Sequence, residues 1–167
     1  MEITLCDVGP RDGLQNEPET LAPDIRADLV RRLAAAGLPR IEAVSFVSEE
    51  RVPQMAGAEE VVEAVGRVDA ELSGLVLNER GWERLARTPL ARVNVTLAAT
   101  ETFNRRNGNM SLEEATAQVR EIVAASDLPA TVIVSVAFGC PFEGRVDAAR
   151  VADLCEQLDG ADELVLA

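Results

Sequence analysis

Apolar and polar positions along this chain keep two rhythms. Short stretches rich in apolar and β-branched residues at 3–8, 40–46, 72–77, 92–98, 131–138 and 163–166 predict strands. Between them, apolar residues recur three or four apart, which predicts helices. The first opens at Leu21-Ala22-Pro23-Asp24, where proline suits the first turn and an acid suits the positive end of the helix dipole. Its apolar stripe runs through Ile25, Leu29, Leu33 and Ala36, and Gly37 ends it. Further helices are expected at 55–66, 81–87, 111–126 and 147–158. Ser111-Leu112-Glu113-Glu114 has the serine-then-glutamate spacing of a capping box. The run 131–138 is almost continuously β-branched, as for a strand buried on both faces.

Six strands alternating with five helices, one pair about every 30 residues, predict an α/β fold with a parallel sheet. No Gly-x-Gly-x-x-Gly and no phosphate-loop motif follows a strand, which argues against a nucleotide-binding open sheet. Polar residues follow strands one, two, four and five, the pattern of a (β/α)8 TIM-type barrel with its chemistry on the carboxyl-terminal loops. Such a barrel has eight strands. The expectation is a truncated barrel: residues 1–167 as a single domain, the N-terminal portion of a longer chain, with bare sheet edges that favour self-association into a homo-oligomer.

Composition narrows the options. With 167 residues and 47% hydrophobic content the chain can bury a real core. The formal net charge is -13, and the basic residues, all arginine, form no run, so neither nucleic acid nor an anionic membrane surface is an expected partner. No apolar segment approaches the roughly 18 residues of a membrane span. The first residues lead straight into an expected strand, without a basic-then-apolar leader, and three scattered cysteines make no disulfide framework; a cytoplasmic location is expected. Histidine and tyrosine are absent, so proton transfer and metal binding must rest on carboxylates, amides and arginine, or on groups outside this sequence.

Those groups concentrate where the first strand stops at Gly9-Pro10. Arg11, Asp12, Gln15, Asn16 and Glu17 follow within a few residues. Arg11 offers a planar, permanent cation able to hold a carboxylate or an enolate oxygen. Asp12 is a candidate ligand for a hard divalent metal, Mg2+ or Mn2+; the plain alternative is a loop carboxylate pairing with Arg11 or capping an amide. Glu42 stands in the otherwise apolar strand Ile41-Glu42-Ala43-Val44, where a carboxylate is costly unless a cation meets it, and Arg11 on the neighbouring strand is the expected one. Glu42 then either orients Arg11 for substrate or forms a structural ion pair. Gln15 could brace the loop. Ser45, further along the second strand, is a candidate hydrogen-bond donor or a plain strand-end serine. Cys140 reads as structural, and Cys6 and Cys155 as packed thiols.

Four ordered segments carry a resemblance: Gly9-Pro10-Arg11-Asp12-Gly13-Leu14-Gln15-Asn16-Glu17; Ile41-Glu42-Ala43-Val44-Ser45-Phe46-Val47-Ser48 with Val52-Pro53-Gln54-Met55; Thr100-Glu101-Thr102-Phe103-Asn104-Arg105-Arg106-Asn107; and Gly139-Cys140-Pro141-Phe142-Glu143-Gly144. In that order they resemble the 3-hydroxy-3-methylglutaryl-CoA lyase family over nearly the whole chain. The resemblance implies a barrel enzyme that cleaves an acyl-CoA into acetyl-CoA and acetoacetate with a divalent metal, as in leucine breakdown. It implies Arg11 and Glu42 as catalytic groups, Arg11, Gln15, Ser45 and Asn107 toward substrate, and Asp12 toward the metal. Arg105 or Arg106 would meet CoA phosphates, or be solvated loop charges. The family's remaining metal ligands and catalytic cysteine fall outside this sequence, so these residues alone are expected to be inactive. Condensing synthases of the isopropylmalate and homocitrate type, 4-hydroxy-2-oxoacid aldolases and an inactive half-barrel interaction protein are the alternatives. Thr131-Val132-Ile133-Val134-Ser135 departs from the family's usual Arg-Gly-Tyr-Val-Ser, and Phe142 stands for a tyrosine.

Overall fold

The computed structural model describes residues 3–167. The chain packs as two compact units, one formed by the residues up to Val76 with Arg80–Val93, the other by Leu77–Glu79 with Asn94–Ala167.

The first unit begins with a short strand, β1 (Cys6–Asp7), and a single wide helical turn at Gly9–Gly13. It continues through α1 (Pro23–Ala35), β2 (Arg40–Ser45), a 3-10 turn at Pro53–Met55, α2 (Ala58–Val65), β3 (Glu71–Val76) and α3 (Glu79–Leu85), and ends in the opening of β4 (Arg92–Ala98). β1 and β2 run parallel with Cys6 opposite Arg40 and Asp7 opposite Ile41; β2 and β3 run parallel with a register shift between Glu42 and Val44. The core of this unit gathers Ala27, Val30, Ile41, Val44, Met55, Val61, Val76 and Leu85, all at most 1% exposed.

The second unit holds the rest of β4, then α4 (Glu101–Gly108), α5 (Leu112–Ala125), β5 (Ala130–Ser135), a small antiparallel hairpin of β6 (Gly139–Cys140) and β7 (Gly144–Arg145), α6 (Ala148–Glu156) and β8 (Glu163–Leu166). β5 and β8 are parallel, with Thr131 opposite Glu163 and Val134 opposite Leu166. The six long-range strands follow the order β1-β2-β3-β4-β5-β8, the parallel β/α succession expected of a (β/α)8 barrel cut after its sixth strand.

Several boundaries and one face differ from the sequence expectation. β1 is two residues long, not six: Val8 leaves the sheet because its carbonyl accepts from the amides of Arg11, Asp12 and Gly13, and Ile3, Leu5 and Val8 are exposed at the sheet edge. In α1 the buried face is Arg26, Ala27, Val30 and Ala34, while Ile25 is 53% exposed. The helix carries two overlapping apolar stripes, and close packing took the one with small residues at Ala27 and Ala34. α4 was not expected at all, since the only residue it buries is the polar Asn104. β5 stops at Ser135 rather than 138 because Val136 has φ of +53°, a left-handed conformation that a β-branched residue seldom takes and that turns the chain into the hairpin. α2 begins at Ala58, three residues later than expected, because Gly57 (φ +68°) separates it from the 3-10 turn. The capping box at Ser111 is formed in both halves: Glu114 N–H donates to Ser111 Oγ at 3.1 Å and Ser111 N–H to Glu114 Oε2 at 2.7 Å.

Candidate active site

At the carboxyl end of β1 the chain winds so that three successive amides, those of Arg11, Asp12 and Gly13, converge on one carbonyl, Val8 O, at 3.2, 2.7 and 3.4 Å. Pro10 suits the first position of that turn, lacking the N–H that would otherwise go unmet. The turn projects Arg11 toward β2. There Arg11 Nε donates to Glu42 Oε1, and Nη1 donates to Asp12 Oδ1 at 2.8 Å. The Glu42 side chain is 2% exposed and that of Arg11 13%, whereas Asp12 lies open at 55%. A buried carboxylate is thus met by a cation, as the isolated Glu42 demanded.

Nε and Nη1 are occupied; among the described residues Nη2 of Arg11 has no partner. A guanidinium has five N–H donors. The guanidinium is therefore held at two of its nitrogens and retains donors for an anionic ligand.

The register shift in β2 adds Ser45 to this face. Residues three apart on a straight strand point to opposite faces. Here Glu42 lies opposite Ser73 and Ser45 opposite Leu75, two steps apart on β3, so the bulge at Ala43 returns Glu42 and Ser45 to the same face. Ser45 is 1% exposed, and its hydroxyl has no hydrogen-bond partner among the described residues. A buried hydroxyl left unmet carries a free-energy cost of about 1–3 kcal/mol, which a ligand or water with a polar atom there would relieve.

The structure thus joins Arg11 and Asp12, on the turn after β1, to Glu42 on the neighbouring β2, and places Ser45 further along the same face of β2. Gln15 is half-buried, and among the described residues no hydrogen bond joins its side chain to Arg11, Asp12 or Glu42. The brace for the turn is Asn16 instead, whose Nδ2 donates to Asp12 O at 2.7 Å. Its spacing of four from Asp12, one helical turn, was the available signal.

Asp12 fits the part of one hard-oxygen ligand, with one oxygen held by Arg11 and the group otherwise solvated. Asp7 is turned away to accept from Gly9 N–H at 2.8 Å, and Glu42 is taken by Arg11. Among the described residues no group of three or more Asp, Glu, His or Cys side chains could hold a metal. Asp12 alone is one ligand, and one ligand does not make a metal site.

In the second unit, Asn107 sits exposed near the end of α4. Arg105 pairs with Glu101 at 2.6 Å, and Arg106 lies over the Phe142 ring at 4.1 Å, so both arginines are engaged within the chain. The residue that shapes the β4–α4 turn is Asn104, 5% exposed. Its Oδ1 accepts from Ala98 N–H at 2.9 Å, and its Nδ2 donates to the carbonyls of Ala98 and Thr100 at 2.8 and 2.9 Å. The hairpin meets the start of α4 through Thr102 N–H on Glu143 Oε1 at 2.8 Å, a bond that holds the Glu143 carboxyl below its ordinary pKa. Burial pushes the Cys140 thiol up, but the Thr100 hydroxyl and the Phe142 and Glu143 amides outweigh it and hold it below its usual value. Cys140 is 5% exposed, which suits a structural thiol.

A parallel β/α succession with an arginine–carboxylate pair at the carboxyl ends of its first strands has the architecture of a barrel-type enzyme. The HMGL-like family model matches residues 2–166, and the chain belongs to that family. It is 39% identical to (R)-citramalyl-CoA lyase of Chloroflexus aurantiacus over 99% of its length, and 37% identical to the mitochondrial hydroxymethylglutaryl-CoA lyase of Mus musculus over 94%. It spans 57% and 50% of those two proteins. Among solved structures, the HMG-CoA lyase of Bacillus subtilis matches with a TM-score of 0.94 at 33% identity, over 99% of this chain and 57% of that one. An HMG-CoA lyase of Acinetobacter baumannii in complex with coenzyme A and 3-methylmalate matches with a TM-score of 0.93 at 34% identity, over 98% of this chain and 55% of that one.

Proposed function

We propose that this chain is the amino-terminal part of a carbon–carbon lyase that cleaves 3-hydroxy-3-methylglutaryl-CoA to acetyl-CoA and acetoacetate. The observation that carries the reading is Arg11, fixed by buried Glu42 and still holding an unspent Nη2 at the carboxyl end of β1. Family membership supplies the substrate class.

In the cleavage, the substrate's C3 hydroxyl passes its proton to a base outside the described residues, the C2–C3 bond breaks as the C3–O bond becomes a carbonyl, and the electron pair moves onto the thioester oxygen of an acetyl-CoA enolate, whose C2 then takes a proton from the general acid. Negative charge grows on that oxygen. A guanidinium whose direction is set beforehand stabilises it without reorganising, an effect worth about 2.7–4 kcal/mol for a single well-placed donor. Glu42 acts by holding Arg11 at the angle that aims Nη2 outward. Ser45 would donate to a substrate oxygen. Asp12 would supply one ligand to a divalent cation such as Mg2+ or Mn2+, which would hold the hydroxyl and carboxylate of the substrate. Gln15 and Asn107 would each contribute a side-chain amide to substrate binding. The general acid and the other ligands lie outside the described residues, so activity belongs to the full-length protein and is absent from these 167 residues alone. The exposed apolar side chains of β8, Leu164 at 42% and Leu166 at 45%, support pairing with a further strand or with a second copy.

A second substrate is favoured by the 39% identity to the citramalyl-CoA lyase. Citramalyl-CoA lacks one methylene between the carbinol carbon and the carboxylate, a difference worth about 10–200-fold in discrimination. Assaying the full-length protein with both thioesters separates the readings. Release of acetoacetate supports the first and release of pyruvate the second. Cleavage of neither overturns the proposal, as does cleavage by the 167-residue chain alone for the claim that it is incomplete.

A further inference from the structure

The loop that follows β2 leaves the candidate site through Phe46 and returns to α2 at Gly57. One side chain of a different element holds both ends of it. Arg84, on α3, grips Glu59 of α2 in a two-pronged bond, Nε to Oε1 and Nη2 to Oε2, each 2.7 Å. The same Nη2 reaches Glu49 Oε1 in the loop at 3.1 Å, and that oxygen also accepts from Gly57 N–H at 3.3 Å. The guanidinium carbon lies 5.5 Å from the centre of the Phe46 ring. On its other contacts this ring is pressed against the backbone of Gly74, where an added Cβ would fall 2.9 Å from Phe46 Cε2. Phe46 is 3% exposed, and its amide extends the ladder by donating to Leu75 O at 2.8 Å. Ser45 immediately precedes it, and Glu42 lies on the same strand.

We propose that Arg84 is a positioning residue for the acyl-CoA site: by holding Glu49 and Glu59 while covering Phe46, it fixes the end of β2 and so sets how Ser45 and the loop at 46–57 meet substrate. The proposal rests on the lyase reading for its substrate, and on the geometry alone for its effect on the loop. Charge reinforces the arrangement. The fork of Arg84 holds the Glu59 carboxyl below its ordinary pKa, and Glu59 in turn raises that of Arg84, so both stay ionised through the neutral range. Glu49, Glu59 and Arg84 are 48%, 45% and 27% exposed, which leaves the grip open to screening by salt. A conformationally tuned loop, rather than a permanent clamp, is the consequence.

The test uses the full-length protein with Arg84→Met, which keeps an unbranched stem but loses the guanidinium, Arg84→Lys, and Glu49→Ala, which removes the acceptor of the loop arm and leaves Glu59 in place. Hydrogen exchange across 46–57 is expected to speed at least fivefold in Arg84→Met and Glu49→Ala, with Arg84→Lys intermediate. KM for 3-hydroxy-3-methylglutaryl-CoA, or for citramalyl-CoA if that is the substrate cleaved, is expected to rise three- to tenfold in Arg84→Met with kcat changed less than twofold. Raising salt to 0.5 M should raise the wild-type KM by a larger factor than that of Arg84→Met, which has no grip left to screen. Unchanged exchange in the loop overturns the proposal, whether or not either thioester is cleaved. Faster exchange with an unchanged KM, or a loss confined to kcat, also overturns it. If neither thioester is cleaved, the lyase reading fails, and the claim about the loop stands or falls on the exchange result.

Discussion

Pairing between Arg11 and Glu42 can be measured without any substrate, by a double-mutant cycle. Removing one member of a buried ion pair ordinarily costs about 3–5 kcal/mol, because the other is left charged and unmet. Two features reduce that here for the loss of Glu42. Glutamine keeps the shape and one acceptor oxygen, and Arg11 keeps Asp12 at 2.8 Å and some contact with water at 13% exposure. Glu42→Gln is therefore expected to cost about 2 kcal/mol. Arg11→Met takes the cation from the more deeply buried partner, 2% exposed, and should cost about 3 kcal/mol. With both changed no charge is stranded, and the double variant should lose about 2–3 kcal/mol rather than the 5 of the sum, a coupling of about 2 kcal/mol. Urea unfolding of this chain, followed by the fluorescence of its single tryptophan, Trp82 on α3, reads the three differences as shifts in midpoint at constant slope. Losses that add within about 0.5 kcal/mol would show that the two side chains do not depend on each other, and the geometry of the mouth would be wrong.

Other consequences concern the scaffold. Gly74→Ala puts a Cβ 2.8 Å from Leu90 Cδ1 and 2.9 Å from Phe46 Cε2, an overpacking expected to cost about 1–3 kcal/mol and visible as a fall in thermal midpoint. Ser111→Ala removes one half of the capping box on α5 and should cost about 1 kcal/mol, read as a fall in the urea midpoint. Acid should destabilise the fold in a defined way. Glu59 and Glu143 bind protons more weakly folded than unfolded, so their contribution is present above the ordinary carboxylate pKa and is lost as pH falls through their depressed folded values. The urea midpoint should drop between about pH 5 and 3, and replacing both residues by glutamine should flatten that slope; an equally steep slope in the double variant would assign acid lability elsewhere.

How far the chain could be read from its letters depended on what each feature needed from distant residues. β4 and β8 match their expected bounds: Val93, Val95 and Leu97 alternate with polar residues at the period of a strand, and Leu164-Val165-Leu166 is a short apolar run after the turn at 159–162. The pairing of Glu42 with Arg11 was legible for a related reason: a lone carboxylate among Ile41, Ala43 and Val44 must find a cation. The face of α1 was not legible, because Ile25, Leu29 and Leu33 outweigh Ala27 and Ala34 in any count of hydrophobicity, while close packing prefers the small residues. Nor was α4, since its single inward residue, Asn104, is held by hydrogen bonds to the β4 turn rather than by burial of apolar surface. The shared face of Glu42 and Ser45 depends on a bulge, and nothing in Ile41-Glu42-Ala43-Val44-Ser45 announces one. Asn16 rather than Gln15 braces the first turn because the chain there winds helically, which makes four residues, not three, the spacing that reaches back to Asp12.

The most direct test of the central claim is single-turnover cleavage of 3-hydroxy-3-methylglutaryl-CoA by full-length protein carrying Arg11→Met, alongside the wild type. If Arg11 meets the forming enolate, the rate of the chemical step falls by about 10²–10³ while affinity for the thioester changes by only a few-fold. A variant that binds weakly but cleaves at the wild-type rate once saturated would contradict the account.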